Sequence, residues 1–369
     1  MKPSINIALN ALWLTSLGTP SVAAPSNGNY GLKLKGPELK HWPPHAAKAL
    51  NKMIAANANA GRYAVFDMDN TSYQFDLEES LLPYLESKGI LTRDTMDPAL
   101  KLIPFNDTKK NKESLYSYYL RLCDIEDAVC YPWAAEIFSG FPLGKLKGYV
   151  DELMAYNKTI PVTYFKDGKV TKDEVSPPRI FEGQVELYNR LMANGIKVYV
   201  VSAASEELVR MVASDKKYGY NVPPENVIGV SVLLKTKKGD ITTARKQIED
   251  GDYSAKTQKQ NLDAKMTPYL WAPATWKAGK WAAILTYIDE WKKPILAGGD
   301  TPNSDGPMIF HGVDVARGGI HLWVDRKDSY REQINGMIKN FTIAQKEEGL
   351  PVTANKNWVF VKPAELHGE

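Results

Sequence analysis

The sequence predicts an α/β fold, with a Rossmann-like, doubly wound parallel sheet as its core and a helical cap inserted after the first strand. Three observations carry this expectation. The run "YAVF" at 63–66 is a short, continuously apolar strand of the kind that parallel sheets bury on both faces. Beyond residue 179, helical patterns alternate with apolar strands over short links, as repeated strand–helix–strand units do. Between these regions the pattern is helical, so an insertion separates the first strand from the rest of the sheet.

Residues 1–24 read as an export signal. Lys2 gives a positive start, residues 5–17 are mostly apolar, and Ser21, Val22, Ala23 and Ala24 offer small residues for cleavage near Ala23 or Ala24. The apolar run is shorter than the ~20 residues that span a bilayer, so we expect an exported protein, periplasmic or secreted, with no stable membrane anchor. Residues 25–75 hold a helix, "HAAKALNKMIAANANA", opened by two prolines and closed by Gly61, and then the first strand. The cap is expected over 76–178. Its segments "DLEESLLPYLESKG", "KESLYSYYLRLCDIEDA" and "GKLKGYVDELMAYN" carry apolar residues at three and four spacing. The remaining core, 179–369, reads as helix "EGQVELYNRLMANG", strand "IKVYVVSAAS", helix "SEELVRMVASD", strand "NVIGVSVLL", helix "KWAAILTYIDEW", strand "PILAGGD" and a last strand "GIHLWVD".

Composition narrows the partners. With 46 basic and 43 acidic residues the formal charge is +3, too balanced for the electrostatic footprint of a nucleic-acid binder. At 369 residues and 44 % hydrophobic content the chain can bury one large core and a smaller one. Cys123 and Cys130 could pair across a short loop in an oxidising compartment or stand as two small thiols; spacing alone leaves both open. The five histidines lack zinc-ligand spacing.

Chemistry concentrates where parallel sheets bind ligands, beyond the carboxyl ends of the strands. Asp67 and Asp69 follow the first strand, Ser202 the second, and Asp300 and Asp305 follow "ILAGG". Four carboxylates converging on one edge repel one another unless a cation joins them, and oxygen-only ligands suit a hard cation such as Mg²⁺. Thr71, Ser202 and a lysine opening the "KWAAIL" helix supply donors for phosphate oxygens. Lys280 is preferred to Lys277 because it directly opens the apolar periodicity. Carboxylates, a hard cation and a phosphate clamp point to phosphoryl transfer, with an aspartyl-phosphate if a carboxylate is the nucleophile.

These segments resemble the four motifs of the haloacid dehalogenase (HAD) superfamily: "DMDNT", "VVSAAS", a lysine before a helix, and "GGDTPNSD", in order, over residues 62–325. The resemblance implies Asp67 as nucleophile and Asp69 as general acid and then base. It implies Mg²⁺ on Asp67, the backbone carbonyl of Asp69 and Asp300, with Asp305 bracing from behind, and Ser202 and Lys280 on the phosphate. The flanks "RYAVFDMDNTS", "DLEESLLPYLE" and "GGDTPNSDGPM" are similar to the exported bacterial branch that hydrolyses phosphorylcholine. That narrower resemblance implies a quaternary ammonium, which has no N–H and must be read by aromatic faces and charge. Tyr73, Phe75, Tyr131 and Trp133 are the candidate cage, with Glu78 or Glu79 adding charge. Phosphoethanolamine, phosphoserine and a non-catalytic choline or phosphate binder stand as alternatives. Dehalogenation and phosphonate cleavage fit less well, since those branches generally lack the second acid.

Overall fold

The computed structural model describes residues 33–368, so the expected export signal lies outside the described residues. The central sheet is assembled from Tyr63–Phe66 (β1), Lys197–Ser205 (β2), Val227–Val230 (β3), Leu296–Gly299 (β4), Ile320–Val324 (β5) and Trp358–Val361 (β6). All neighbours are parallel, in the order β3-β2-β1-β4-β5-β6. Strand order therefore reverses between β1 and β4, and this opens a crevice at their carboxyl ends.

The strand pleat sorts β1 onto two faces. Ala64 and Phe66 pack with Leu50 and Ile54 of helix α1 (Pro44–Asn57) and Leu187 and Leu191 of α6 (Glu182–Ala193). Tyr63 and Val65 pack with Ile284 of α8 (Ala278–Tyr287), Met308 of α9 (Pro302–Gly312) and Ile334 of α10 (Asp328–Glu347). Helix α7 (Glu206–Ala213) follows β2. With helices on both sides, every residue of β1 is buried, which is why its sequence is apolar without alternation.

Between β1 and α6 stands the cap, with α2 (Leu77–Ser87), α3 (Leu115–Ile125), α4 (Asp127–Glu136) and α5 (Leu143–Met154). A Cys123–Cys130 disulfide ties α3 to α4, Cα to Cα 4.9 Å. The expectation of an all-helical cap needs correction: Ile160–Lys166 and Lys169–Val175 form an antiparallel hairpin. Its turn residues Asp167 and Gly168 both have positive φ, the geometry that closes tight hairpins.

Two further differences concern the core. The run "NVIGVSVLL" is not one strand. It breaks at Ser231, whose hydroxyl meets Thr243 Oγ1 at 2.8 Å, and Val232–Lys235 joins Ile241–Thr242 and Lys265–Leu270 in a separate antiparallel sheet. Residues 231–276 are thus a second insertion. It is joined to the cap through backbone: Gly140 N donates to Met266 O at 2.9 Å, Leu143 N to Ala264 O at 3.0 Å and Gly144 N to Leu262 O at 2.7 Å. Strand β6, after the 20-residue α10, closes the sheet beyond the strand expected to be last. Among the described residues no helix is long and apolar enough to cross a membrane.

His321 on β5 is buried, donates from Nδ1 to Lys356 O at 2.8 Å and stacks on Trp358. Burial pushes its imidazole down to about 4. The folded state thus refuses a proton that the unfolded chain accepts below about 6.5, so stability should fall as pH drops from there to 4. The loss is worth roughly 3 kcal/mol. Urea titrations across this range should show His321→Asn flattening that acid limb.

Candidate active site

The first motif folds locally into a tight turn. Asp67 N donates to Gly298 O at 3.0 Å, carrying the β1–β4 pairing one residue past the strand. The chain then doubles back: the amides of Thr71, Ser72 and Tyr73 all reach Met68 O, at 3.3, 2.8 and 3.3 Å. Asn70 takes the left-handed conformation, with φ 58°, and its side chain accepts from Phe75 N and donates to Asp76. Gln184 holds Thr71 O at 2.7 Å and the Ser72 hydroxyl holds Asp67 O at 2.6 Å. This webbing fixes Asp67 and Asp69 over the crevice. On the β4 side, a Cβ on Gly299 would stand 2.5 Å from Asp305 Cβ, so only glycine lets α9 approach.

Lys280, wholly buried at the start of α8, bridges the acids, 2.8 Å from Asp67 Oδ1 and 2.6 Å from Asp305 Oδ1. The other Asp305 oxygen accepts from the amides of Asp300 and Thr301 at 2.8 and 2.9 Å. Asp300 Oδ1 accepts from the Thr71 hydroxyl at 2.9 Å, while Oδ2 accepts from Thr301 Oγ1 at 3.0 Å and from Arg326 Nε. One oxygen each from Asp67, Asp300 and Asp305 lies within 4.8 Å of the others. Both oxygens of Asp305 and both of Asp300 thus already have protein partners, whereas Asp67 is engaged through Oδ1, by Met68 N and Lys280. Lys277 lies elsewhere, paired with Glu126 and Asp127 of the cap. Thr71, wholly buried, donates its hydroxyl to Asp300.

Charge is concentrated beyond what the two cations offset. Burial, and then Asp305, push Asp67 well above the usual carboxylate range despite Lys280. Burial and Asp76 do the same to Asp69, against hydrogen bonds from Leu77 N and Tyr73 OH. Burial raises Asp300 to about 6 against the pull of Arg326. Although burial works against its ammonium, Asp305 and Asp67 hold the Lys280 pKa above its ordinary value. A buried oxygen cluster with surplus negative charge suits a divalent cation.

Beside these acids lies a cavity of about 90 Å³. Asp67, Asp69 and Ser202 form its floor, Glu78, Glu79, Tyr119 and Tyr131 its cap wall, and Thr301, Ser304 and Arg326 the wall beside α9. Of the expected cage only Tyr131 lines it. Trp133 points into the cap core and donates to Leu100 O at 2.8 Å, Tyr73 is buried with its hydroxyl on Asp69 at 2.7 Å, and Phe75 is outside the lining. Helical phase turns Trp133 inward two residues after Tyr131. Sequence reasoning missed Tyr119, Asp76 and Arg326. Arg326 alone had a usable signal, since it comes two residues after a strand end on the ligand-binding edge.

A parallel sheet with this switch point, an inserted cap and an acidic crevice beyond its strands define a HAD-type phosphatase, a phosphoric monoester hydrolase. No family model matches the chain. It is 66 % identical over 330 residues to the phosphorylcholine phosphatase of Pseudomonas aeruginosa, covering 89 % of this chain and 93 % of that protein. The chain belongs to the phosphorylcholine phosphatase family. Among solved structures, a protein of unknown function from Anaerococcus prevotii superposes with TM-score 0.54 at 19 % identity, over 91 % of this chain and 98 % of that one. Cytosolic 5'-nucleotidase IIIB bound to cytidine superposes with TM-score 0.42 at 13 % identity, over 88 % of each chain.

Removing Lys280 should expose the repulsion it offsets. Lys280→Met should cost roughly 3–5 kcal/mol at neutral pH, the penalty of breaking a buried pair. The deficit should shrink as pH falls, because the stranded Asp67 carboxyl takes up a proton in the folded state. Thermal melts of the metal-free protein at pH 8 and pH 5 check the sign.

Proposed function

We propose that this protein hydrolyses phosphorylcholine to choline and phosphate through an aspartyl-phosphate on Asp67. The observation that carries the reading is one small cavity with two ends: Asp67, Asp69 and Ser202 on its floor, and Glu78, Glu79, Tyr119 and Tyr131 above them. Phosphate chemistry suits the first end and a quaternary ammonium suits the second.

Asp67, Asp300 and the carbonyl of Asp69 would hold Mg²⁺, with Asp305 orienting Asp300 through its amide and Asp67 through Lys280. The donor set fits, since all donors are oxygens and Lys280 and Arg326 do not match the buried acids. When bound, the ion neutralises charge on the transferring phosphoryl group. Asp67 attacks phosphorus, the bond to the choline oxygen breaks, and Asp69 gives that oxygen its proton. Asp69 is suited to this because burial and Asp76 keep its carboxyl protonated well above the usual range. Once ionised, it accepts a proton from the water that hydrolyses the aspartyl-phosphate. Ser202 and Lys280 hold phosphoryl oxygens throughout.

At the other end, the faces of Tyr119 and Tyr131 offer ~0.5–2 kcal/mol each to an ammonium. Glu78 accepts from Ser205 N at 2.6 Å, and burial raises its carboxyl to about 8; Glu79, raised mainly by burial to about 7, accepts from Tyr116 OH at 2.9 Å. Export to the periplasm or beyond accords with the leader expected at 1–24 and with the Cys123–Cys130 disulfide.

Asp67→Asn should abolish turnover with the fold intact, and Asp69→Asn should lower kcat by ~10²–10⁴. Wild-type rates from Asp67→Asn would defeat the mechanism. Asp300→Ala should raise the Mg²⁺ requirement far more than a change at the cap wall, read by metal titration of activity. Tyr119→Leu and Tyr131→Leu should raise KM for phosphorylcholine well above any change for p-nitrophenyl phosphate. A panel with phosphoethanolamine and phosphoserine, compared by kcat/KM, tests the choice of alcohol.

Choline binding carries a pH signature. Ionised Glu78 and Glu79 attract the cation where their protonated forms do not, so choline affinity should strengthen as pH rises from 6 through about 8. Calorimetry in two buffers of different ionisation enthalpy should register proton release near neutrality, and Glu78→Gln should diminish both effects.

A further inference from the structure

We infer that Arg326 is a specificity-determining residue that restrains the cavity's preference for a cationic alcohol and keeps the cationic product from binding too tightly. The inference deepens the proposed phosphorylcholine phosphatase reading and rests on it. Among the described residues lining the cavity, Arg326 is the one cation, sharing that lining with Asp76, Glu78 and Glu79.

Its guanidinium cannot swing away. Nε is held on Asp300, Nη2 donates to Thr301 Oγ1 at 3.1 Å, and the group lies 5.0 Å from the Tyr330 ring centroid. A lysine at this place could relax toward solvent, whereas a planar fork held at two points keeps its charge at the cavity wall. Ser304, nine-tenths buried with an unpartnered hydroxyl, lines the same wall, so this side offers donors and the cap side acceptors. The charge is felt across the cavity: Arg326 pulls the buried Glu79 carboxyl down, against the larger effect of burial. A trimethylammonium group placed among the cap acids therefore meets attraction from three carboxyl groups and repulsion from one fixed guanidinium.

The hold on Asp300 complicates a simple activity assay, because losing Arg326 disturbs a proposed metal donor. That disturbance acts on every phosphomonoester alike and cancels in a ratio. We would compare wild type, Arg326→Gln and Arg326→Lys on phosphorylcholine, ethyl phosphate and 2-phosphoglycolate, whose alcohols are cationic, neutral and anionic. In Arg326→Gln the cationic-to-neutral ratio of kcat/KM should rise roughly tenfold, the size of a fixed charge acting from about 10 Å through a medium of effective dielectric about 20. The anionic-to-neutral ratio should fall, the inhibition constant for choline should tighten roughly tenfold, and Arg326→Lys, whose charge can relax toward solvent, should fall between wild type and Arg326→Gln in all three. Equal factors on the three substrates would overturn the inference and leave Arg326 as a support for Asp300.

Should Arg326→Gln fail to fold, Arg326→Cys serves. Its thiol would be the single free one, because Cys123 and Cys130 are bonded to each other. Tagging it with an aminoethyl methanethiosulfonate should restore the wild-type ratio and tagging with the methyl reagent should not; identical ratios for the two adducts would overturn the inference. Failure of the underlying function looks different: wild type itself would show no preference for phosphorylcholine over ethyl phosphate.

Discussion

The contact on which the site depends is the buried ammonium of Lys280 between Asp67 and Asp305. Sheet order forces the two carboxylates together, because β1 and β4 are neighbours whose carboxyl ends open into the same crevice. Burying them there without compensation would cost several kcal/mol for each ion. Lys280 answers both at once and pins the start of α8 to the end of β1 and to α9. Asp305 uses its second oxygen to hold the amides of Asp300 and Thr301. The same cation thereby governs, through one intermediary, where Asp300 stands.

A second chain of contacts leads from the catalytic turn into the cap. Asp69 accepts from Leu77 N, the first residue of α2, and Asn70 holds Asp76 just before it. At the second residue of α2, Glu78 accepts from Ser205 N at the end of β2. The cap's first helix is consequently bonded to the acid beside the nucleophile and to the strand that carries Ser202. That helix thus donates a backbone bond to the same carboxyl whose pKa burial raises, which links the cap's seat to the proton on Asp69.

Most of the polar core of the site could be read in the chain because strand ends on a doubly wound sheet are few and Asp67, Asp69, Ser202 and Asp300 occupy them. The lysine could be chosen over its neighbour because Lys280 stands inside the helical phase of α8 and Lys277 before it. Aromatic recognition was harder to read. Tyr118 and Tyr119 are adjacent, yet Tyr118 packs on Trp133 and Phe105 in the cap core while Tyr119 reaches the cavity, and only the packing of α3 on α4 decides which. The hairpin at 160–175 escaped notice because its two seven-residue strands are largely exposed and mix polar with apolar residues, and Ile241–Thr242 because it is only two residues long. Strand β6 follows a long polar helix and carries only four residues.

The backbone lacing between residues 140–144 and 262–266 makes the two insertions a single structural module, though a long stretch of core separates them in the chain. Each supplies amides or carbonyls that bond to the other, at a seam where Leu143, Ala264 and Met266 are buried and Gly140, Gly144 and Leu262 are exposed. Grafting the cap alone onto a sister scaffold would strand these groups. A productive chimera should therefore exchange the two segments as a pair.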